Sequence, residues 1–263
     1  MAKLATLYSG SSGNSTLVCS ESSRLLVDMG CSCKRTLGAL YGLGVAASDI
    51  DAIFITHEHS DHVSGLLTFL SHYDVPVFGS KRTLAYLSER GIVPSRTRLI
   101  TLETAQPVSV GDISVECFKT SHDSAECVGY KFTFSSGESA AVATDLGYIS
   151  DDVFSALCGC RTVGLESNYD ENMLLTGKYP YYLKSRIHSH MGHLSNDECA
   201  AAAVELAKKG TRRFVLMHLS RENNEPEIAL TNCLSALENY GIDEQTCTVS
   251  VAPRFDTSGF FEV

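Results

Sequence analysis

Three histidines and two acids lie within six consecutive positions of this chain, in the segment HEHSDH at residues 57–62. The apolar run Ala52–Thr56 precedes them, so the pattern predicts a buried strand that ends abruptly in polar groups. Imidazole and carboxylate groups bind zinc, manganese or iron, and a loop at a strand end lets alternate side chains converge on one centre. The H-x-H-x-D-H spacing therefore predicts a metal site; a solvated polar turn is the alternative.

Further candidate ligands lie far away in the sequence. His122, Asp145 and His218 each follow a strand-like apolar run. Taken singly, each could be a structural residue with ordinary hydrogen bonds. Their shared placement at strand ends favours a different interpretation, in which several strands deliver ligands to one site on the rim of two sheets.

The elements that must position these residues are short strands interrupted by helices. Alternating or continuous apolar runs predict strands at Leu4–Tyr8, Ser15–Cys19, Arg24–Asp28, Ala52–Thr56, Val75–Phe78, Arg98–Leu102, Ser114–Phe118, Gly129–Phe134, Ala140–Thr144, Arg213–Met217 and Thr246–Val251. Helical patterns cover His62–His72, Ser80 to Gly91, Ser195 to Gly210 and Pro226 to Gly241. This order favours two sheets covered by outer helices.

Composition limits the class of protein. The 263 residues are 44% hydrophobic and 20% charged, which suits a single soluble domain spanning residues 1–263. The opening residues lack the apolar stretch of a signal peptide, so we expect a cytoplasmic protein without a membrane segment and with ten reduced cysteines. A formal charge of −10 argues against a broad basic face that coats nucleic acid. It does not exclude a nuclease, because a bound metal meets the phosphate directly.

These ligand motifs resemble the metallo-β-lactamase superfamily over nearly the whole chain. The resemblance implies an α/β (α+β) fold, a four-layer αββα sandwich, and two divalent transition-metal ions, zinc first with manganese or iron as alternatives. By position it implies that the first ion is held by His57, His59 and His122, the second by Asp61, His62 and His218, and that Asp145 bridges them. Asp28 resembles an early aspartate that supports the ligand loop; a simple strand-ending turn residue is the alternative.

Four shorter motifs resemble one group within that superfamily, the YycJ (WalJ) nucleases, which are related to ribonuclease Z. They are SGSSGNS at 9–15, LESNYD at 165–170, GHLSN at 192–196 and HLSRENN at 218–224. The inserted domain of the β-CASP nucleases is missing, because too few residues separate Asp145 from Glu166. This resemblance implies a phosphodiesterase with a nucleic-acid partner, specifically a 5′-to-3′ exonuclease on DNA.

The same resemblance implies a mechanism. A hydroxide bridging the two ions would attack phosphorus while Asp61 orients it. His193, in a G-H-S/T-like segment, would donate the proton to the leaving group, and Glu166 would hold its tautomer. The alternative for His193 is a residue that packs against the helix cap at Ser195. His188 and His190 receive no role.

Two other functions remain open from sequence. The fold and ligands would equally serve a metallo-hydrolase of small esters, thioesters or lactones. A non-catalytic regulatory protein stabilised by its metals is the other alternative. Cleavage of an ester by such a centre has less need of a separate acid, so the pair His193 and Glu166 favours phosphodiester hydrolysis.

Three patches have an ambiguous role. Ser9–Ser15 predicts either a phosphate cradle or a tight turn between the first two strands. Arg221, Asn223 and Asn224 follow a candidate ligand and would line the rim, in contact with a nucleic-acid backbone. Basic and aromatic residues between 178 and 186 suit either single-stranded ends or a solvated helix face.

Overall fold

The computed structural model describes residues 1–263. The strands are β1 Lys3–Tyr8, β2 Ser15–Cys19, β3 Arg24–Val27, β4 Ala52–Ile55, β5 Val77–Gly79, β6 Leu99–Thr101, β7 Val108–Val110, β8 Ile113–Lys119, β9 Val128–Phe134, β10 Ser139–Ala143, β11 Thr162–Glu166, β12 Arg213–Met217, β13 Thr248–Val251 and β14 Phe261–Glu262. The helices are α1 Cys33–Gly42, α2 Ser60–Val63, α3 Leu66–His72, α4 Lys81–Glu89, α5 Asp151–Leu157, α6 Glu171–Thr176, α7 Tyr181–Ile187, α8 Asn196–Lys208 and α9 Pro226–Asn239, with a 3₁₀ turn at Ala47–Asp49.

The strands form two sheets of seven strands each. Their orders are β14-β1-β2-β3-β4-β5-β6 and β13-β12-β11-β10-β9-β8-β7. The run β3 to β6 is parallel, and so is the run β10 to β13. Because parallel neighbours bring their carboxyl ends to the same edge, residues that follow β3, β4, β10 and β12 can meet at one rim.

Three apolar layers hold the sheets and helices together. Twenty buried residues lie between the two sheets, and a cluster of 24 lies on the outer face of each sheet against its helices. Between the sheets, Phe54 stacks on Phe78 at 4.7 Å, and the Tyr130 hydroxyl donates a hydrogen bond to the Ile55 carbonyl at 2.5 Å. Each fully buried side chain of this size contributes about 1.5–3 kcal/mol. The result is the four-layer αββα sandwich expected from the resemblance.

Most predicted elements are confirmed within one or two residues, and local chemistry explains their ends. Ser80 caps α4, and Ser195 forms a reciprocal capping box with Glu198 at the start of α8. Pro226 occupies the first turn of α9.

The prediction of one helix over His62–His72 is wrong. The helix is interrupted between α2 and α3, where Gly65 approaches the Cys31 carbonyl so closely that a Cβ would lie 2.1 Å from its oxygen. Sequence patterns also missed α1, α5, α6 and the strands β7, β11 and β14, whereas α7 agrees with the helix face that was one alternative for residues 178–186.

The cysteines agree with the expectation that they remain reduced. All ten cysteines are free thiols, and nine of them are buried. Burial raises the pKa of several of these thiols, for example that of Cys233 to about 12, so they remain protonated and unreactive at neutral pH. None of the helices has both the length and the apolar character that crossing a bilayer requires.

Candidate metal centre

The carboxyl ends of the parallel strands β4, β10 and β12 bring six of the seven predicted ligands to one rim, where His122 joins them. Residues 57–62 follow β4, Asp145 follows β10, and His218 follows β12. His122 comes from the loop between β8 and β9. The seven residues form three overlapping sets, and within each set the candidate ligand atoms lie within 4.8 Å of one another. One set is His57, His59 and His122, another is His57, His62 and Asp145, and another is Asp61, His62 and His218.

Asp145 lies at the middle of the cluster. One of its carboxylate oxygens is 3.3 Å from His62 Nε2. The other is 3.6 Å from both His122 Nε2 and His218 Nδ1. A carboxylate between two groups of imidazoles has the geometry that a bridging ligand requires.

Hydrogen bonds at Nδ1 fix the orientation of four imidazoles. His62 Nδ1 lies 2.7 Å from Asp28 Oδ2, and His218 Nδ1 lies 2.7 Å from Glu166 Oε1. His122 Nδ1 is 2.9 Å from the Gly192 carbonyl oxygen. His57 Nδ1 is 3.1 Å from Thr56 Oγ1. With Nδ1 engaged as a donor, each ring presents Nε2 to the centre, which is the usual arrangement of a metal-binding histidine.

Several atoms at the centre are buried and make no hydrogen bond. They are Nε2 of His57, His122 and His218, together with Oδ2 of Asp145. Leaving a buried polar atom without a partner costs about 1–3 kcal/mol. A cation of the class that nitrogen and oxygen ligands prefer would satisfy all four, so the residues present fit a divalent metal.

The electrostatics divide the imidazoles into two kinds. Burial lowers the pKa of His57 well below its usual value and also lowers that of His122. Burial acts the same way on His62 and His218, but nearby carboxylates outweigh it. They raise the pKa of His62 well above its usual value and that of His218 to about 10. Burial is likewise outweighed at Asp61 and Asp145, whose pKa values the surrounding imidazoles hold well below the usual range.

Unusual backbone conformations turn three of these residues toward the centre. Asp28, Asp145 and His218 have φ values of 61°, 58° and 59°, and only one other non-glycine residue in the chain has a positive φ. Such left-handed conformations are costly for ordinary residues and concentrate at functional sites. Asp28 and His218 directly follow buried strands, and Asp145 follows β10 after one residue, Thr144, so each turn redirects the side chain from the sheet to the rim.

His193 and Glu166 form a hydrogen-bonded pair beside the cluster. His193 Nδ1 lies 2.8 Å from Glu166 Oε1, and the His193 ring is about 5 Å from those of His122 and His218, at 5.0 and 5.2 Å. The side chain of His193 is 15% exposed, whereas Glu166 is fully buried. Glu166 Oε2 accepts from the amides of Leu146 and Leu194. The Glu166 carboxylate is therefore fixed, and the His193 ring is accessible from solvent.

Glu166 has a second contact that sequence analysis missed. The same Oε1 atom that receives His193 also receives His218, so one carboxylate orients both the candidate proton donor and a candidate ligand. Burial would raise the pKa of Glu166, but His193 and His218 lower it, which keeps the group ionised.

Asn14 and Ser9 were also missed as site residues, although both lie in the glycine-rich motif. Asn14 Nδ2 is 3.3 Å from Asp61 Oδ2 and 3.1 Å from His62 Nε2, while its Oδ1 accepts from the Gly10 amide. Ser9 Oγ accepts from the His218 amide at 2.8 Å. The motif does form the turn between β1 and β2, and it holds that turn against the ligand loops. The polar side chains of Asn14 and Ser9 in this motif were the sequence signal that could have identified them as site residues.

Glycine is required where the ligand loop crosses the loop after β3. A Cβ on Gly30 would lie 1.6 Å from the Asp61 carbonyl oxygen and 2.6 Å from the Asn14 amide nitrogen. These are backbone atoms that cannot yield, so the absence of a side chain at residue 30 allows Asp61 to occupy its position.

The other candidate residues have different positions. Asn223 and Asn224 are buried, and Asn224 Nδ2 donates to the carbonyls of Ser167 and Asn168, so the expectation that both line the rim is wrong. Arg221 is exposed. His188 and His190 lie on the surface outside the cluster, with His188 Nδ1 3.0 Å from the Tyr169 hydroxyl.

The basic and aromatic stretch forms α7 and its approach. Tyr181 and Tyr182 are 85% and 74% exposed. Lys184 and Arg186 are engaged with the Leu175 carbonyl and the Asp123 carboxylate. The tyrosines are thus free, while these two cations already have partners.

Comparison with known proteins identifies the class of protein. The family described as "Beta-lactamase superfamily domain" matches residues 23–219. The fold agrees with solved structures of low sequence identity, including the metallo-β-lactamase fold protein YhfI from Bacillus subtilis (TM-score 0.71, 18% identity, 98% of this chain and 99% of that chain) and human tRNase Z, short form (0.64, 17%, 97% and 98%). The chain belongs to the metallo-β-lactamase superfamily and is a hydrolase of that class.

Two similar proteins within the superfamily are named exodeoxyribonucleases. The chain is 36% identical over 238 residues to "Exodeoxyribonuclease YycJ" of Bacillus anthracis, covering 90% of this chain and 89% of that protein. It is also 36% identical over 230 residues to "Exodeoxyribonuclease WalJ" of Streptococcus pneumoniae serotype 2, covering 86% and 85%. The predicted resemblance to the YycJ and WalJ group is confirmed.

Proposed function

We propose that the protein is a dinuclear metal-dependent phosphodiesterase that digests DNA from the 5′ end. One observation carries this proposal: a buried nitrogen and oxygen cluster with unsatisfied Nε2 atoms lies directly beside the histidine and glutamate pair of residues 193 and 166. A phosphodiester needs both charge neutralisation and a proton for its leaving oxygen. The cluster suits the first task and the pair suits the second.

The ligand atoms divide naturally between two ions. His57, His59 and His122 would hold the first, Asp61, His62 and His218 the second, and Asp145 would contact both. Zinc fits this set, and so do manganese and iron. When bound, such ions lower the pKa of a water nucleophile toward 7 and neutralise charge on the phosphate.

The side chains of the chain itself orient the reaction. Asp61 Oδ2, held by Asn14, is ionised and can accept a hydrogen bond from the attacking water. His193 donates Nδ1–H to Glu166, which leaves Nε2 to protonate the departing oxygen. Glu166 stays ionised and holds the orientation of the His193 ring through their short contact.

The relatives support DNA as the substrate. Both are named exodeoxyribonucleases and align with almost the whole chain. The 5′-to-3′ direction rests on the resemblance to their group. We further propose that residues 1–263 function as one domain, since both sheets contribute to the centre. The ten free thiols suit the reducing conditions of the cytoplasm, where we propose that the protein works.

The test is digestion of end-labelled substrates by protein loaded with Mn²⁺ or Zn²⁺. Duplex DNA with a 5′-phosphate, single-stranded DNA and RNA are compared, and Asp61→Ala serves as the inactive control. We expect mononucleotides to be released progressively from the 5′ end of DNA. Digestion only from the 3′ end would overturn the direction, and faster hydrolysis of RNA would overturn the substrate. Hydrolysis of thioesters or lactones with no nuclease activity would favour the small-ester alternative.

A further inference from the structure

A cavity of about 600 Å³ opens beside the metal centre, on the side of α2, α3 and α4. Its volume falls within the range of about 300–1,000 Å³ that is typical of small-molecule sites. Its lining includes His59, Val63, Ser64, Leu67, Tyr86 and Ile92. Because His59 lines this cavity and also belongs to the cluster, the cavity lies next to the metal centre.

The cavity wall includes apolar surface that nothing in the chain covers. The side chain of Leu67 is 45% exposed and that of Tyr86 is 36% exposed. Both lie on helices whose other faces pack into the core, through Leu66 and Phe69 on α3 and through Leu84 and Leu87 on α4. An aromatic ring and an aliphatic side chain beside a polar centre form the kind of surface on which a nucleobase stacks.

The cavity also has polar groups at its edges. Ser60 and Ser64 line it, and the Arg90 guanidinium lies 5.4 Å from the centroid of the Tyr86 ring. The one carboxylate in its lining belongs to Glu58, whose Oε1 accepts from the Ala125 amide at 2.7 Å while its Oε2 is buried without a hydrogen-bond partner. An amino group of an entering base could donate to that free oxygen.

We propose that this cavity binds the terminal nucleoside of the DNA strand, with its base against Tyr86 and Leu67. The inference rests on the proposed nuclease function. With the scissile phosphate at the metal centre, the nucleoside to be released lies on one side of that phosphate, and a cavity that opens at His59 is adjacent to it. A site for one nucleoside next to the metals favours release of one nucleotide at a time.

The experiment combines a change in the protein with a change in the substrate. Wild type, Tyr86→Ala, Tyr86→Phe and Ser64→Trp are each given 5′-phosphorylated DNA that ends in either a normal or an abasic nucleotide. The matched control is Tyr240→Ala, an exposed tyrosine at the end of α9. Initial rates give kcat/KM for the first release, and thermal melting confirms that each variant folds.

For wild type and Tyr240→Ala, we expect the abasic end to lower kcat/KM roughly 5- to 150-fold, the range for loss of stacking on one base. Tyr86→Ala should act slowly on both ends and distinguish them little, and Tyr86→Phe should restore the preference. Ser64→Trp, which fills the cavity, should also remove the preference.

Two contrary results are distinguishable. Wild type that digests both ends equally, or Tyr86→Ala and Ser64→Trp variants that keep the full preference, would overturn the nucleoside site and leave the nuclease function standing. Wild type that digests neither DNA would overturn both.

Discussion

The two halves of the metal centre orient their imidazoles with different partners. In the neutral half, defined by His57, His59 and His122, the Nδ1 contacts are a threonine hydroxyl and a backbone carbonyl. In the carboxylate half, defined by Asp61, His62 and His218, the two histidines face the buried carboxylates of Asp28 and Glu166. Burial lowers the pKa of the histidines in both halves, but Asp28, Asp145 and Asp61 outweigh it at His62, and Asp145, Asp61 and Glu166 outweigh it at His218, which accounts for the opposite directions of the pKa shifts.

This difference shows that buried carboxylates lie behind the imidazoles of the carboxylate half only. A carboxylate behind a histidine makes the imidazole a stronger base and a better metal ligand. The surrounding carboxylates also raise the pKa values of His62 and His218, so a metal has to compete with a proton at these rings. The carboxylate half would therefore combine strong ligands with a dependence on pH, and Glu166 connects this half to His193, the proposed proton donor.

The largest expected effect concerns the activity of a variant at His193. His193→Ala should lower kcat on DNA by about 10² to 10⁴, the usual contribution of general acid catalysis, while both ions remain bound. Hydrolysis of bis(p-nitrophenyl) phosphate should fall much less, because p-nitrophenolate departs without a proton. Steady-state rates on both substrates and metal analysis of the purified variant provide the measurement.

His190→Ala is the matched control, since His190 is a surface histidine three residues away. It should retain the activity of wild type on both substrates. Equal losses on DNA and on the activated ester, or loss of metal from His193→Ala, would assign His193 to metal binding or folding instead of proton donation.

The second effect separates the halves directly. Asp28→Asn should weaken one ion by about 10- to 100-fold, the usual cost of removing a partner of a metal-binding histidine, and should leave the other ion nearly unchanged. Asparagine tolerates the left-handed backbone at this position, so the change tests charge with little added strain. Stepwise metal titration by calorimetry measures both affinities.

Asp112→Asn provides the control for that titration. Asp112 contacts Ser20 in a turn at the opposite end of the strands, and its replacement should alter neither affinity. If Asp28→Asn weakens both ions equally, the two halves act as one unit and the contrast between them has no functional meaning.

The sequence indicated the candidate ligands more clearly than the residues that support them, because the candidate ligands are clustered or follow clear strands. The spacing of residues 57–62 is local, and the apolar runs before Asp145 and His218 are regular. The contact between Glu166 and His218 depends instead on β11, which sequence patterns missed, and on its register with β12. Glu166 pairs with Met217, the last residue of β12, and its carboxylate contacts His218, which follows that strand. A register between distant strands cannot be predicted from either strand alone.

Fold class and most elements were also predictable, since hydrophobic periodicity is strong in the buried strands. The break between α2 and α3 was not, because it arises from contact between Gly65 and the distant Cys31 carbonyl. The left-handed turns at Asp28, Asp145 and His218 were likewise invisible, because only the position of the whole rim requires them.

The third prediction uses the pKa difference. His62 and His218 have raised pKa values, that of His218 being about 10, so both carry a proton at pH 7 that a metal must displace. His57 and His122 have lowered pKa values and are already neutral. Affinity at the carboxylate half should therefore rise with pH, by about tenfold per pH unit for each proton displaced, and the rise should end as pH passes the raised pKa values.

Calorimetry in buffers with different ionisation enthalpies counts these protons. We expect proton release on loading the carboxylate half and almost none on loading the neutral half. Glu166→Gln should reduce the release, because it removes one of the charges that raise the pKa of His218. Equal release from both halves would contradict the division.

The smallest expected effect lies at the edge of the neutral half. Arg186 donates to both oxygens of Asp123, whose Oδ1 is 3.4 Å from His122 Nε2. Both partners are partly exposed, so Arg186→Gln should lower the free energy of unfolding by no more than about 1 kcal/mol, with metal affinity changing only a few-fold. Urea unfolding and the same calorimetric titration measure these effects. A loss of metal affinity as large as that of Asp28→Asn would mean that carboxylates near Nε2 influence the ions as strongly as those behind Nδ1. The contrast between the two halves would then arise from the whole charge distribution around the centre and not from the individual partners of Nδ1.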